Sequence, residues 1–325
     1  MPTILLCQPM HASGMALLQA RDDVTIRTLF RSSPGQLAAA MPGVHAVLIG
    51  SEVVDEALLA ASPDLGIVSR FGVGYDAVDV AACTRRGVVV SIAAGGNDLS
   101  VAEHTMMLLL AVARRTIEMD AAARAGRWML AKDRPMHELA GRTILVVGYG
   151  RIGSRVARLC AAFGMHVMVC DPAFPLPRIA ADGFTPVADI ASVLPQIDVL
   201  TLHCPLGEAT RHMIGRELLS LMKPTAWLIN TARGPIVDEA ALTEALSSGR
   251  LQAAGLDVLV HEPPDPANPL LKLSNVVLSP HHAAAPLESQ AKMSVRAAKN
   301  MLEFFDAALD PGYVVNPETL PRRNA

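Results

Sequence analysis

Aromatic residues make up only 4% of this 325-residue chain, and charged residues only 18%. Lys and Arg total 28 against 31 Asp and Glu, so the formal net charge is −3. No basic stripe with interleaved aromatics occurs, which argues against nucleic acid as a partner. Cysteine is sparse: Cys7, Cys83, Cys160, Cys170 and Cys204 are scattered, odd in number, and form no Cys-x-x-Cys. That excludes a disulfide frame and a cysteine zinc site, and predicts reduced thiols and no metal. Long apolar runs are also missing. The longest, from Met106 to Ala113, is far too short to span a bilayer. The start, Met1-Pro2-Thr3-Ile4-Leu5-Leu6, lacks the basic region and long apolar core of a signal peptide. The expectation is a soluble, cytoplasmic protein with no membrane partner. Internal repeats and low-complexity segments are absent as well.

What is present is a 51% apolar chain, long enough for two cored domains. Short β-rich runs alternate with Ala- and Leu-rich helical stretches, the rhythm of parallel sheets covered by helices. Strands are predicted at 3–7, 25–29, 44–49, 66–69 and 88–91, with helices near 13–20, 34–41, 55–61 and 78–86. This predicts a small flavodoxin-like domain. One long helix is predicted from about Ser100 to Gly126, capped by Asp98 or by Ser100 with Glu103. A polar, irregular segment, 127–139, follows. A second unit starts at Gly141, with six strands at 143–147, 166–170, 199–203, 226–230, 253–258 and 276–279. Six strands with intervening helices match a dinucleotide-binding sheet. A last helix, about 287–308, and an extended tail at 312–317 would return to the first domain. The fold class expected is α/β: a Rossmann dinucleotide-binding domain, 100–287, plus a smaller discontinuous substrate domain, 1–99 and 288–325.

The run Thr143–Val147 leads into Gly148-Tyr149-Gly150-Arg151-Ile152-Gly153 and then an amphipathic stretch. Strand, Gly-x-Gly-x-x-Gly, helix is the context this motif requires. Gly148 permits a tight turn, Gly150 lets the pyrophosphate approach the backbone, and Gly153 lets helix and strand pack closely. The helix N-terminus supplies free N–H groups and partial positive charge. Asp171 ends the next strand, where it would bond ribose hydroxyls and repel a 2′-phosphate. That favours NAD over NADP. A glycine turn holding no nucleotide is the ordinary alternative.

Arg233, Glu262 and His281 each follow a predicted parallel strand. The carboxyl edge of such a sheet is where ligands bind. Arg233 can grip a carboxylate with its planar fork. His281 can exchange a proton near neutral pH, and Glu262 could orient its ring. Singly, each has a bland reading: a structural salt bridge, an exposed loop acid, a loop histidine bonded to backbone. His282 stands beside His281, so either ring is open to the role. In the first domain, Arg70-Phe71-Gly72-Val73-Gly74-Tyr75-Asp76 follows a strand and could turn N–H groups toward an anion; an ordinary connection is the alternative.

These residues closely resemble the D-2-hydroxyacid dehydrogenase family, which contains phosphoglycerate, glyoxylate/hydroxypyruvate and D-lactate dehydrogenases. The resemblance covers nearly the whole chain. Its specific carriers are Asn230-Thr231-Ala232-Arg233-Gly234-Pro235-Ile236-Val237-Asp238, Gly255-Leu256-Asp257-Val258 through Glu262-Pro263, and Ser279-Pro280-His281. Gly95-Gly96-Asn97, Val101-Ala102-Glu103-His104 and the 70–79 loop match as well. The resemblance implies hydride transfer between NAD(H) and a small 2-oxo or 2-hydroxy acid. Arg233 would bind the substrate, His281 would be the acid–base, and Glu262 its partner. Val73 and Gly74 would offer N–H groups to the substrate carboxylate. Arg151 and Ile152 would cover the pyrophosphate and Asp171 the ribose. Cys204 and Pro205 would lie along the dinucleotide, and Thr231, Ala232, Asp257 and Ala283 at the nicotinamide end. Arg70, Tyr75, Asn97 and Trp128 or Met129 would build the side-chain pocket. A homodimer is implied, with the long helix as its apolar face.

The sequence departs from the family at His281-His282-Ala283-Ala284-Ala285-Pro286, where an aliphatic residue and a glycine often follow the histidine. It also ends at Ala325, short of the regulatory domain some phosphoglycerate dehydrogenases carry. Two other functions stay open on the same scaffold: a formate or phosphite dehydrogenase, and an NAD-responsive corepressor.

Overall fold

A computed structural model describes residues 1–128 and 135–320. The described residues form two compact units, one of residues 1–97 with 285–320, the other of residues 98–128 with 135–284. Met129 lies outside the described residues.

The first unit alternates strand and helix: β1 (Thr3–Leu6), α1 (Ala12–Gln19), β2 (Thr25–Thr28), α2 (Pro34–Ala40), β3 (Ala46–Ile49), α3 (Glu56–Ala60), β4 (Ile67–Arg70), α4 (Val80–Arg85) and β5 (Val89–Ile92). Its five strands run parallel in the order β2-β1-β3-β4-β5, the flavodoxin-like arrangement. Local chemistry sets the helix starts. Ser33 and Gln36 form a capping box at α2, and Asp55 and Asp79 cap α3 and α4. Strand β3 is buried throughout, as a central parallel strand should be.

The second unit opens with α5 (Asp98–Arg114) and α6 (Thr116–Arg124). Then follow β6 (Thr143–Val147), α7 (Arg151–Ala162), β7 (His166–Cys170), α8 (Leu176–Ala181), β8 (Thr185–Pro186), β9 (Val199–Leu202), α9 (Arg216–Leu221), β10 (Trp227–Asn230), α10 (Glu239–Ser247), β11 (Ala253–Leu256) and β12 (Val276–Leu278). Seven parallel strands take the order β12-β11-β10-β9-β6-β7-β8. The switch point lies between β6 and β9, where open α/β sheets bind their ligands. Alternate residues feed two cores: Leu145 and Val147 of β6 enter one, Ile144 and Val146 the other. Leu108, Leu109 and Val112 of α5 join Val156 and Cys160 of α7 on the second face.

Helix α11 (Leu287–Phe305) returns to the first unit. It packs against α1, where the missing Cβ of Gly14 leaves room for the Ser294 backbone. Ser69 Oγ of β4 donates to the Ala297 carbonyl at 3.2 Å. The tail then lies on β5: Val314 bridges Ser91, and the Val315 N–H donates to Val90 O at 2.8 Å.

Four expectations are corrected. The single helix predicted over 100–126 is two helices, because Arg115 adopts φ 51 between them. Its N–H closes the end of α5 on Val112 O, and its guanidinium pairs with Glu118 in α6. Asp98 is the first helical residue rather than a cap. The dinucleotide sheet has a seventh strand, β8, only two residues long and ending in proline at the sheet edge. The tail at 312–317 is only partly extended, since Pro311–Tyr313 forms a 3-10 turn.

Candidate active site

The glycine turn joins β6 to α7. Gly148 sits at φ 94, and a Cβ there would come within 2.6 Å of the His203 backbone. At Gly153 a Cβ would stand 1.9 Å from Gly148 O, so helix and turn touch through backbone alone. Gly150 differs: φ is ordinary, and a Cβ would meet no protein atom within 4 Å. Open space beside it, and a 12-residue helix with no side-chain cap, leave first-turn N–H groups for an anion. A dinucleotide pyrophosphate fits this site. Arg151, the first residue of this helix, has its side chain 63% exposed and 4.0 Å from the buried Asp98 carboxylate; Ile152 beside it is half-buried.

Asp171, directly after β7, accepts the Tyr149 N–H at 2.7 Å and the Ala173 N–H at 2.8 Å. Its carboxylate thus stands against the turn, where ribose hydroxyls would lie. The Tyr149 ring turns the other way, buried between Phe174 and Phe184, with its hydroxyl on Asp182 at 2.8 Å. After β9, Cys204 is half-buried and Pro205 exposed. Burial pushes the Cys204 thiol up to about 11, so it is no thiolate nucleophile at neutral pH. His203 beside it keeps some surface, yet desolvation pulls its pKa down to about 3.

The other end of the sheet edge is built from side chains. Buried Asn230 closes the turn after β10, donating to Arg233 O at 2.9 Å and accepting the Ala232 N–H at 3.0 Å. Thr231 is buried, its hydroxyl 2.9 Å from that of Thr105 in α5. Gly234 allows contact with the loop after β11: a Cβ would fall 2.0 Å from Leu259 O. Arg233 is therefore carried next to the loop that carries Glu262. Its guanidinium donates to Ala232 O at 2.7 Å. Glu239 steadies the β11 loop through the Val260 N–H and the Asn268 amide.

Glu262 Oε2 lies 2.6 Å from His281 Nδ1, and Oε1 accepts the Leu259 N–H at 3.0 Å. Burial alone would raise the Glu262 pKa. The His281 hydrogen bond and charge, the Leu259 N–H and the Arg233 charge outweigh it and hold the carboxyl below its usual range. The two rings left open by the sequence are now distinguished. His282 turns Nδ1 to the Pro280 carbonyl, while His281 meets the carboxylate. Occupying Nδ1 leaves His281 Nε2 as the nitrogen to face a substrate.

Asp257 lies beneath this loop, 1% exposed. It accepts the His282 N–H at 2.9 Å, the Ala283 N–H at 3.0 Å and the Ser279 hydroxyl at 2.5 Å, with His104 Nε2 at 3.2 Å. Ala283 is buried there. Burial works to raise the Asp257 pKa, but these donors hold it below the usual range.

A family model described as D-isomer specific 2-hydroxyacid dehydrogenase, NAD binding domain, matches residues 106–283. D-3-phosphoglycerate dehydrogenase of Archaeoglobus fulgidus is 37% identical over 300 residues, 92% of this chain and 56% of that protein. This chain belongs to the D-isomer specific 2-hydroxyacid dehydrogenase family. The chain therefore spans little more than half the length of that curated relative. Among solved members, D-lactate dehydrogenase from Aquifex aeolicus, complexed with NAD and lactic acid, superimposes with a TM-score of 0.89 at 27% identity. That match covers 97% of this chain and 99% of the other. The NADPH-dependent glyoxylate/hydroxypyruvate reductase of Sinorhizobium meliloti, complexed with NADP and malonate, has a TM-score of 0.88 at 31% identity. That match covers 100% of this chain and 99% of the other. The family model names NAD as the ligand of the domain that holds the glycine turn.

The structure groups Arg233, Glu262 and His281 with the glycine turn on one edge of one family domain. Val73 and Gly74 belong to the first unit, at the carboxyl edge of its five-stranded sheet, in the loop after β4. There Gly72 takes φ 127 beside the Arg70 guanidinium, which donates to Phe71 O. Tyr75 is 38% exposed, Asn97 is buried, and Trp128 is 83% exposed. Two participants were not legible beforehand. Ser279 and His104 matched family motifs by type, yet nothing in their spacing pointed to Asp257. Among the described residues, no group of His, Cys, Asp and Glu could hold a metal, and no helix is long and apolar enough to cross a membrane.

Proposed function

We propose that this chain catalyses reversible hydride transfer between NAD(H) and C2 of a small D-2-hydroxy acid or its 2-oxo acid. The observation that carries the reading is the 2.6 Å His281–Glu262 pair on the sheet edge that also bears Arg233 and the glycine turn. The reduced dinucleotide, when bound to Gly148–Gly153, supplies the hydride. Arg233 binds the acid's carboxylate and polarises its carbonyl as negative charge grows on the oxygen. Glu262, ionised, holds His281 by Nδ1 and fixes the orientation of its ring. His281 Nε2–H gives its proton to the C2 oxygen in reduction and recovers it in oxidation. Reduction would leave a new C–H bond, a new O–H bond, a neutral imidazole and an oxidised dinucleotide that takes up the positive charge, so charge and atoms balance. We propose the N–H groups of Val73 and Gly74 as further carboxylate donors. Thr231, Ala232, Asp257 and Ala283 are proposed for the nicotinamide end, and Arg151, Ile152, Cys204 and Pro205 for the rest of the dinucleotide. The Asp171 carboxylate supports NAD over NADP by repelling a 2′-phosphate.

The test is a panel of 2-oxo acids, glyoxylate and hydroxypyruvate among them, with NADH and NADPH, on the wild type and His281→Ala. Turnover in the variant is expected to fall by about 10²- to 10⁴-fold, with NADH affinity nearly unchanged. Retained turnover removes His281 from the role. Absence of wild-type turnover across the panel overturns the reading and favours a nucleotide-sensing protein. We also propose a homodimer, supported by exposed Met107, Ile117 and Phe163 around an apolar groove of about 520 Å³ on α5, α6 and α7. Light scattering in solution checks it.

A further inference from the structure

We propose that His104 is a positioning residue: through Ser279 and Asp257 it holds the loop that presents His281. The inference rests on the reading of His281 as the acid–base, and its test is separable from that reading.

The loop is held in an unusual shape. His281 adopts φ 54, a left-handed conformation that costs a non-glycine residue about 1 kcal/mol or more. Three successive N–H groups hold it there, each reaching Asp257. The His281 N–H donates to the Asp257 carbonyl at 2.8 Å, shared with the Ser279 carbonyl at 3.1 Å, and the next two donate to the two carboxylate oxygens of Asp257. The conformation of His281 therefore depends on where the Asp257 carboxylate points.

That carboxylate is buried, so it stays charged only while donors surround it. Two of its donors are side chains, and they are linked. Ser279 Oγ has one proton and stands 2.5 Å from Asp257 Oδ1, so it donates there. The same oxygen lies 2.7 Å from His104 Nε2. With its proton spent on Asp257, Ser279 must accept from His104. His104 Nε2 therefore carries a hydrogen, which also points at Asp257 Oδ1 at 3.2 Å. One imidazole N–H thus fixes both the serine rotamer and one edge of the carboxylate. It comes from α5, a helix buried against the sheet and far from the loop in sequence. Its side chain is only 17% exposed, so water competes poorly for the bond.

The experiment follows amide hydrogen exchange at residues 281–283 in the cofactor-free protein, for wild type, His104→Leu and His104→Gln. Leucine removes the donor, and glutamine restores an N–H on a side chain of similar reach. Exchange at 281–283 is expected to quicken by about tenfold or more in His104→Leu, with 143–147 of β6 unchanged. In His104→Gln it returns to within about threefold of wild type. Turnover falls by about tenfold in the leucine variant, while KM for the 2-oxo acid moves much less, and the glutamine variant recovers it. Unchanged exchange at 281–283 in His104→Leu, or no recovery with glutamine, overturns the proposal. Should His104→Leu fail to fold, Ser279→Ala tests the same link: faster exchange supports it and unchanged exchange overturns it. Full turnover in His281→Ala would defeat the acid–base reading while leaving the exchange result to stand.

Discussion

The carboxyl edge of the seven-stranded sheet has two halves of opposite construction. The half at β6, β7 and β9 is made of backbone: carbonyl and N–H groups brought together because Gly148 and Gly153 have no Cβ. The half at β10, β11 and β12 is made of side chains, with Asn230, Asp257, Glu262 and Ser279 fixing one another and the loops. The first half suits a ligand bound by shape and N–H groups. The second suits one on which charge and protons move. Changes in the first half should therefore act on folding and nucleotide affinity, and changes in the second on turnover.

The largest effect within the backbone half is expected at Gly153→Ala. The new Cβ would meet Gly148 O at 1.9 Å, and a backbone atom cannot move aside cheaply. Unfolding by denaturant should show a loss of roughly 2–4 kcal/mol, the scale of severe overpacking, with NADH binding lost as well. A stable variant that binds NADH normally would break the contrast. Gly150→Ala comes next, with the opposite signature. Its Cβ meets no protein atom, so stability should stay within about 0.5 kcal/mol of wild type. NADH affinity in a fluorescence titration should fall by about tenfold, since the methyl group occupies the space proposed for the pyrophosphate. Unchanged affinity would remove the phosphates from that position.

The smallest effect concerns His203, a titrating ring inside the backbone half. Its folded pKa is pulled down to about 3, below the unfolded value near 6.5. The neutral ring's contribution is full above the unfolded pKa and is lost as pH falls from about 6.5 toward 3. The slope is at most about 1.4 kcal/mol per pH unit, reduced by the surface the residue keeps. Unfolding at pH 7 and pH 5 should show wild type losing on the order of 1 kcal/mol more than His203→Gln. Equal losses would show that the ring accepts a proton without penalty.

Features with a local cause were readable in the sequence. The strands were visible as apolar runs, and the glycine turn by its spacing between a strand and a helix. Arg233, Glu262 and His281 were visible because each follows a strand, and parallel strands share an edge. Features decided by distant contacts were not readable. Nothing between Asp98 and Arg124 is Gly or Pro, so the break at Arg115 carries no local mark. Strand β8 is too short to show a period. The two adjacent histidines look alike in sequence, and only the fold turns one to Glu262 and the other to Pro280. His104 reaches Ser279 and Asp257 through the packing of α5 on the sheet, which no spacing reports.

The chain segment laid along β5 bears on solubility. In the order β2-β1-β3-β4-β5, β5 is an edge strand, whose outward N–H and C=O groups would otherwise invite another molecule's strand. Val315 takes the Val90 carbonyl, the Asn316 amide oxygen takes the Val90 N–H, and Val314 bridges Ser91 in the antiparallel sense. Asn316 is itself locked by its amide nitrogen to Val88 O and Thr84 Oγ1. A few residues after the last long helix thus close a template for aggregation, using one asparagine side chain where a further strand would need a full ladder.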